Sequence, residues 1–371
     1  MFVFVCAGCD AVLTAPLSQV ELPDHAHQQY GNGIRSMPVL MESGTFAVEQ
    51  EPWGPPWRRW EEFTQEEAEA RGVYAPVWAL SDALPGAVLM APGDTRGTVL
   101  IPERAGGGGC CGLGGDEGPN TACQECGLPV ATRIDDCSLW QTLWLAPEAV
   151  RRVPAGPAPE PLSWEEVVAE RKFAPPTDEL LDRWSPAWEP AIGAALAHLL
   201  VASEGRPVDV PGGLVASVFQ RTLEGLLPPG EPGVPGRTPK KAVLAGPGLP
   251  APDDSADIAL VPRHPQTGET WRPPSGRPNA LVPLAAAVWL YLAFESLAFE
   301  KEWLPVPATG GLPAGVLRDD PAPPTHSKWL FRPDMAAFIR TLSRLPEVRS
   351  PWLSEVYGEL TSFGGRYRGL F

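Results

Sequence analysis

Two Cys-x2-Cys pairs, far apart in the chain, constrain the fold of this sequence more than any other feature. Cys6 and Cys9 follow the apolar run FVFV, and Cys123 and Cys126 lie in TACQECGLPV. A structural zinc site takes four ligands in a tetrahedron, and thiolates satisfy it well. Because the tight turn within each pair points both sulfurs inward, two such knuckles complete one site. We therefore predict that Cys6, Cys9, Cys123 and Cys126 bind one structural zinc ion.

The separation between the pairs leaves other arrangements open. Zinc knuckles are usually about 15–20 residues apart, whereas residues 10–122 separate the pairs here. The predicted ion would thus join the first strand to a distant segment across an inserted β region. In one alternative the thiol pairs are unlinked and packed in the core, where free cysteine is often buried. In another, Cys110 or Cys111 joins Cys123 and Cys126.

Three further cysteines, Cys110, Cys111 and Cys137, raise the possibility of a second metal site. Cys137 with Cys110 or Cys111 leaves a ligand set incomplete, and the His25/His27 pair in LPDHAHQQY offers the missing donors. The alternative for the histidines is an exposed loop without a metal. A structural or ligating role is favoured for Cys137 over a nucleophilic one, because Asp135 and Asp136 would raise its pKa.

The stretch CCGLGGDEGPNTACQECGLPVATRIDDC, residues 110–137, carries a resemblance. Along the stretch, the motif consists of Cys-Cys-Gly, then Gly-Pro-Asn, then the second Cys-x2-Cys pair followed by glycine, and finally Asp-Cys. It resembles a segment of uncharacterised actinobacterial hypothetical proteins with split, zinc-ribbon-like CxxC knuckles. The resemblance covers this segment and the opening knuckle only, and it implies a metal-binding module with no known activity.

Composition limits the cellular compartment and the classes of binding partner that we expect for this chain. The net charge of −16 repels phosphate backbones and anionic lipids, so we expect neither nucleic-acid nor membrane binding. Seven cysteines without a basic, apolar leader favour a cytoplasmic protein whose thiols serve metal binding or catalysis. The most apolar segment, 280–303, contains Pro283 and Glu295. Its uncharged run of about 15 residues is too short for a membrane span, so we predict a buried helix.

Periodicity predicts an α+β fold with a Cys-rich β module followed by an α-helical domain. Short strand-like runs dominate residues 1–153, which we take as the zinc-stapled β domain. Residues 154–371 change to helical periodicity, beginning with a capping box at Ser163 and Glu166. Within them, about 228–280 is a Pro/Gly-rich insertion for which we expect irregular structure.

One aromatic loop and several missing motifs bear on function. EPWGPPWRRWEEF holds Trp53, Trp57 and Trp60; such a loop binds a partner or sugar, or more often caps a core. The sequence has no Walker A, H-E-x-x-H or G-x-S-x-G pattern. The glycines at 107, 109 and 112 match G-x-G-x-x-G without the strand–turn–helix that a dinucleotide site needs.

Two functional hypotheses remain. The first is a cytoplasmic zinc-binding protein that acts as a scaffold or accessory factor for another protein, with the zinc purely structural. The alternative is a metalloenzyme or Cys-dependent enzyme of unassigned class, with a cleft between the two halves. Whether the protein is an enzyme is left open by the sequence, and no catalytic residue is assigned.

Overall fold

The computed structural model describes residues 1–29, 38–104, 112–157, 159–178, 183–229, 238–295, 331–362 and 367–371. The fold is α+β, as predicted, with the cysteine cluster in the N-terminal region. The described chain forms two compact units. The first comprises 1–162 with 265–268, and the second comprises 163–264 with 269–371. Residue 153, where the composition changes, lies within a strand of the first unit.

The first unit is built mainly from short strands. Its elements are β1 (Phe2–Cys6), β2 (Ser18–Gln19), β3 (Thr45–Val48), β4 (Trp57–Arg59), α1 (Gln65–Ala70), β5 (Ala79–Ser81), β6 (Val88–Met90), β7 (Thr98–Leu100), β8 (Thr121–Cys123), β9 (Pro129–Asp136), β10 (Leu139–Leu145) and β11 (Val150–Pro154). A seven-stranded sheet runs in the order β2-β3-β6-β10-β9-β8-β7. Its strands pair antiparallel except β2 with β3. β1 pairs antiparallel with β11, and β4 with β5.

Alternate residues of the sheet's central strands enter two different cores. Phe46, Met90 and Leu143 belong to one buried cluster, which also contains Cys6 and Cys123. Their strand neighbours Ala47, Leu89 and Trp144 belong to a second cluster with Trp140. Because successive side chains of a strand point to opposite faces, both faces of this sheet are covered. This burial explains why its strands read as continuous apolar runs.

The second unit combines helices with a small parallel sheet. Its elements are α2 (Trp164–Glu170), β12 (Thr177–Asp178), β13 (Arg183–Trp184), α3 (Trp188–Ser203), β14 (Val208–Asp209), α4 (Leu214–Leu226), β15 (Lys240–Leu244), β16 (Ile258–Arg263), β17 (Ala280–Ala285), α5 (Ala286–Leu290), a π-helical turn (Tyr291–Glu295), α6 (Met335–Ser343) and α7 (Pro351–Thr361). Strands β14 to β17 form one sheet in chain order, with parallel pairing. The capping box predicted at Ser163 and Glu166 begins α2.

Two sequence-based expectations differ from the structure of this unit. The helix predicted over 280–303 begins only at Ala286, because residues 280–285 form β17; residues 296–303 lie outside the described part. The insertion expected to be irregular contains β15 and β16. Its residues 230–237 also lie outside the described part. Among the described residues, no helix has both the length and the apolar character needed to cross a membrane.

Candidate metal centre

The structure brings the four predicted ligands together. The sulfur atoms of Cys6, Cys9, Cys123 and Cys126 all lie within 4.8 Å of one another. Cys6 Sγ is 3.5 Å from Cys126 Sγ, and Cys9 Sγ is 3.6 Å from Cys123 Sγ. Zn–S bonds of about 2.3 Å place tetrahedral sulfurs about 3.8 Å apart. The four cysteines could therefore hold one metal ion, while their identity as its ligands stays a prediction.

The two Cys-x2-Cys segments share one backbone conformation. In the first knuckle the N–H of Asp10 donates to the carbonyl of Cys6 at 3.0 Å, and Cys6 N–H donates to Ala11 at 2.9 Å. In the second, Gly127 N–H donates to Cys123 at 2.9 Å, and Cys123 N–H donates to Leu128 at 2.8 Å. The same two hydrogen bonds at the same offsets make the segments structurally equivalent knuckles.

The residue that follows each second cysteine explains how the turn closes. Asp10 and Gly127 both have left-handed backbone conformations, with φ of 63° and 74°. Glycine adopts this region without a steric penalty, and aspartate is among the few other residues that visit it. Each knuckle therefore reverses direction just after its second sulfur and returns to the sheet region, so both sulfurs face the same point.

Strand placement fixes where the sulfurs lie relative to the core. Cys6 ends β1 and Cys123 ends β8, and both side chains are buried. Cys9 and Cys126, at the tips of the knuckles, are exposed. The centre is thus anchored in the core on one side and faces solvent on the other.

Backbone N–H groups near the sulfurs favour their ionised form, but burial is the larger effect at Cys6 and raises its pKa. Gly8 N–H donates to Cys6 Sγ at 3.4 Å. Burial opposes ionisation of Cys123, but the N–H groups of Cys126 and Glu125 and the thiols of Cys9 and Cys6 together outweigh it, so the pKa of Cys123 is lowered. Ala11 N–H lowers the pKa of Cys9, yet burial and the neighbouring thiols together raise it to about 12. Four crowded thiols cannot all ionise without a cation to balance them, so binding a divalent ion would release protons.

The other candidate ligands that the structure describes, Cys137, His25 and His27, are not part of this cluster. Within the described ranges, the four cysteines are the one group of Cys, His, Asp and Glu close enough to share an ion. The arrangement with unlinked thiol pairs is not observed. Cys110 and Cys111 lie outside the described residues, so their role as ligands stays a prediction. Cys137 is buried in the turn between β9 and β10, away from the cluster.

The histidine pair has aromatic neighbours instead of a metal site. The His25 ring lies 4.4 Å from that of Trp140, and burial lowers the pKa of His25 to about 4, with Asp24 offsetting part of the effect. The His27 ring lies 3.8 Å from that of Trp53, and its Nε2 is 2.5 Å from Oε2 of Glu49. Among the described residues, His25, His27 and Cys137 share no metal site. Cys110 and Cys111, one of which the possible second site also required, lie outside the described residues. Sequence reasoning had no signal for the partner Glu49.

Comparison of the chain with models of known protein families, with curated proteins and with solved structures finds no match.

Proposed function

We propose that the protein binds one structural Zn²⁺ through Cys6, Cys9, Cys123 and Cys126. The proposal rests on one observation: the four cysteine sulfur atoms lie within 4.8 Å of one another. They belong to two structurally equivalent knuckles. All-thiolate tetrahedral sites in proteins belong to zinc or iron. The resemblance of the knuckles to zinc ribbons favours zinc.

The count of ligands supports a structural role for the ion. A catalytic zinc keeps one coordination position for water or substrate, whereas structural sites are closed by four protein ligands. Four cysteines complete the tetrahedron and leave no open position. The ion would instead tie the end of β1 to the end of β8, segments more than one hundred residues apart in the chain, with 114 residues from Cys9 to Cys123. Cross-links that close long loops remove the most entropy from the unfolded chain.

X-ray absorption at the zinc edge tests the ligand set directly. We expect four sulfur scatterers at about 2.3 Å and no nitrogen or oxygen neighbour. A mixed shell with oxygen at about 2.0–2.2 Å would indicate an open, catalytic type of site. In that case the structural role would be wrong even if the metal is zinc.

We further propose that the protein is a cytoplasmic scaffold or accessory factor whose partner is another protein. Exposed apolar side chains on and beside the β4–β5 pair support this: Trp57, Trp78 and Leu84 are 44%, 72% and 58% exposed. Tryptophan is enriched at the centres of protein interfaces. The net charge of −16 disfavours nucleic acid and anionic membranes as alternatives.

Replacement of Trp78 tests this surface. We expect Trp78→Ala to leave the fold intact, since the side chain is largely exposed, and to lower recovery of the partner at least about tenfold in pull-downs from the native host, as for an interface hot spot. Leu100→Ala, at an exposed position on edge strand β7, is the matched control and should leave recovery unchanged. Equal recovery with both variants would place the interface elsewhere.

The enzyme alternative gains no support from Cys137. A nucleophilic thiol needs solvent access and an electropositive environment. Cys137 is only 5% exposed and follows Asp135 and Asp136. These surroundings favour a thiol that packs in the core, so we propose no catalytic role for it.

A further inference from the structure

A cavity of about 300 Å³ lies in the first unit, on a part of the fold that the metal centre does not use. Six segments line it: the Trp53–Pro56 loop, the turn after β5, Ala87 before β6, the loop before β8, two residues of β9, and the end of β10 with the residues that follow. Its lining residues include Trp53, Pro55, Leu84, Pro119, Trp144 and Pro147. Small-molecule sites are typically concave and mostly apolar, with few polar groups, and this cavity has that character.

Two tryptophans give the cavity its aromatic surface. The ring planes of Trp53 and Trp144 lie within 25° of each other, with centroids 6.4 Å apart. Trp57 packs edge-to-face with Trp53, with the ring centroids 5.2 Å apart. His27 packs on Trp53 and is itself held by buried Glu49 at 2.5 Å. The position of Trp53 is thus fixed by its neighbours, which preorganises the aromatic surface.

The loop before β8 comes unusually close to the sheet. Gly115 has φ of +79°, and a Cβ there would lie 2.8 Å from Cγ2 of Thr132. Only glycine allows this approach. Gly115, Gly118 and Pro119 therefore form a wall of the cavity without projecting a polar side chain into it.

The charged residues that line the cavity are acidic. Asp82 and Glu148 line it, and of the described lining residues none is a lysine or arginine. Asp82 pairs with Arg71 at 2.8 Å, whereas Glu148 is exposed. Asp116 and Glu117 are exposed in the turn between Gly115 and Gly118. Outside the lining, Arg58 lies 3.7 Å from Asp82, and Arg104 donates to the carbonyl of Pro119 at 3.0 Å.

We propose that this cavity binds a ligand with an alkylated ammonium group. Tryptophan faces attract cations most strongly among aromatic side chains, and quaternary ammonium recognition is a common use of such sites. The alkyl groups would be buried against Trp53, Trp144 and the prolines, while the charge is balanced by Glu148 at the rim. An anionic or phosphate-bearing ligand would meet carboxylates and no cationic lining residue. The inference goes beyond the zinc and scaffold proposals and depends on neither.

Binding of two isosteric probes to the full-length protein tests the proposal. Choline and 3,3-dimethylbutan-1-ol have the same shape and differ in the positive charge. A titration of each probe, monitored by saturation-transfer NMR, should show that choline binds and that the Kd of the neutral isostere is at least about tenfold higher. Equal affinities would show an apolar cavity without cation recognition, and no binding of choline at 10 mM, a concentration of about ten times a typical weak Kd, would also overturn the proposal.

Two variants of lining residues, with one control variant, locate the binding on the protein. Glu148→Gln should weaken choline binding about threefold while leaving the neutral isostere unaffected. Glu160→Gln removes an exposed carboxylate of the same unit that does not line the cavity, and it should change neither affinity. Trp53→Leu should weaken choline binding at least about tenfold. Unchanged choline binding in both Glu148→Gln and Trp53→Leu would place the binding outside this cavity.

Discussion

Cys6→Ser is expected to yield protein without stoichiometric zinc and with the first unit destabilised by about 4 kcal/mol or more. Binding of a structural zinc is itself folding free energy, and loss of a metal belongs to the small set of changes with effects of this size. Serine oxygen is a poor zinc ligand, and the remaining three thiols would be left crowded in and around the core. Elemental analysis and chemical unfolding of the full-length protein measure the two effects.

Cys137→Ser is the matched control for this prediction. Cys137 is also buried, at 5% exposure, but lies outside the cluster. It therefore shows what a buried Cys→Ser change costs without the loss of a ligand, which is about 1–3 kcal/mol for a hydroxyl in an apolar site. Cys137→Ser should retain its zinc. A folded, zinc-free Cys6→Ser protein as stable as Cys137→Ser would contradict a structural role for the metal.

Gly193→Ala is expected to destabilise the second unit by up to about 2 kcal/mol. A Cβ at Gly193 of α3 would lie 2.5 Å from the carbonyl oxygen of Asp334. The backbone there cannot easily withdraw, because Asp334 N–H donates to Glu189 at 2.9 Å and its side chain caps α6 at Ala337. Overpacking of this kind costs about 1–3 kcal/mol, and alanine's better helix propensity recovers about 1 kcal/mol.

Gly358→Ala separates this clash from the general effect of replacing a helical glycine. Gly358 lies within α7, and a Cβ there would meet nothing within 4 Å. This variant should be neutral or more stable by up to about 1 kcal/mol. Calorimetric unfolding of both variants makes the comparison. Equal stability of the two would mean that α3 and the start of α6 do not pack as closely as described.

The knuckles could be predicted from sequence because their chemistry is local. Two cysteines at the fixed spacing, and Gly127 directly after the second pair, specify a turn whatever the rest of the chain does. Asp10 gave a weaker signal, since aspartate only tolerates the left-handed conformation it adopts here. That the knuckles meet depends on β1 and β8 ending at the same point. The need of a zinc ion for four ligands predicted this meeting, whereas the long spacing between the pairs gave no sign of it.

Strands β16 and β17 show why the parallel sheet was missed. Each contains a proline, Pro262 and Pro283, which lacks the N–H needed for a ladder hydrogen bond and argues against a strand. The structure places Pro283 in β17, at the edge of the sheet, and Pro262 next to the end of β16. Proline is tolerated in an edge strand such as β17. Pro262 lies beyond Leu260, where the pairing of β16 with β15 ends, so β15 does not need its N–H. The cavity lined by Trp53 and Trp144 was equally hidden, because only the fold brings β10 beside the Trp53 loop.

The metal content of the full-length protein, purified without chelator and measured by elemental mass spectrometry, tests the central claim most directly. We predict one zinc per chain in the native protein. A variant with Cys6, Cys9, Cys123 and Cys126 all changed to serine should contain no stoichiometric zinc. Folded native protein that carries no metal would contradict a metal centre at the two knuckles. One iron per chain would keep the four-cysteine site and contradict its assignment to structural zinc.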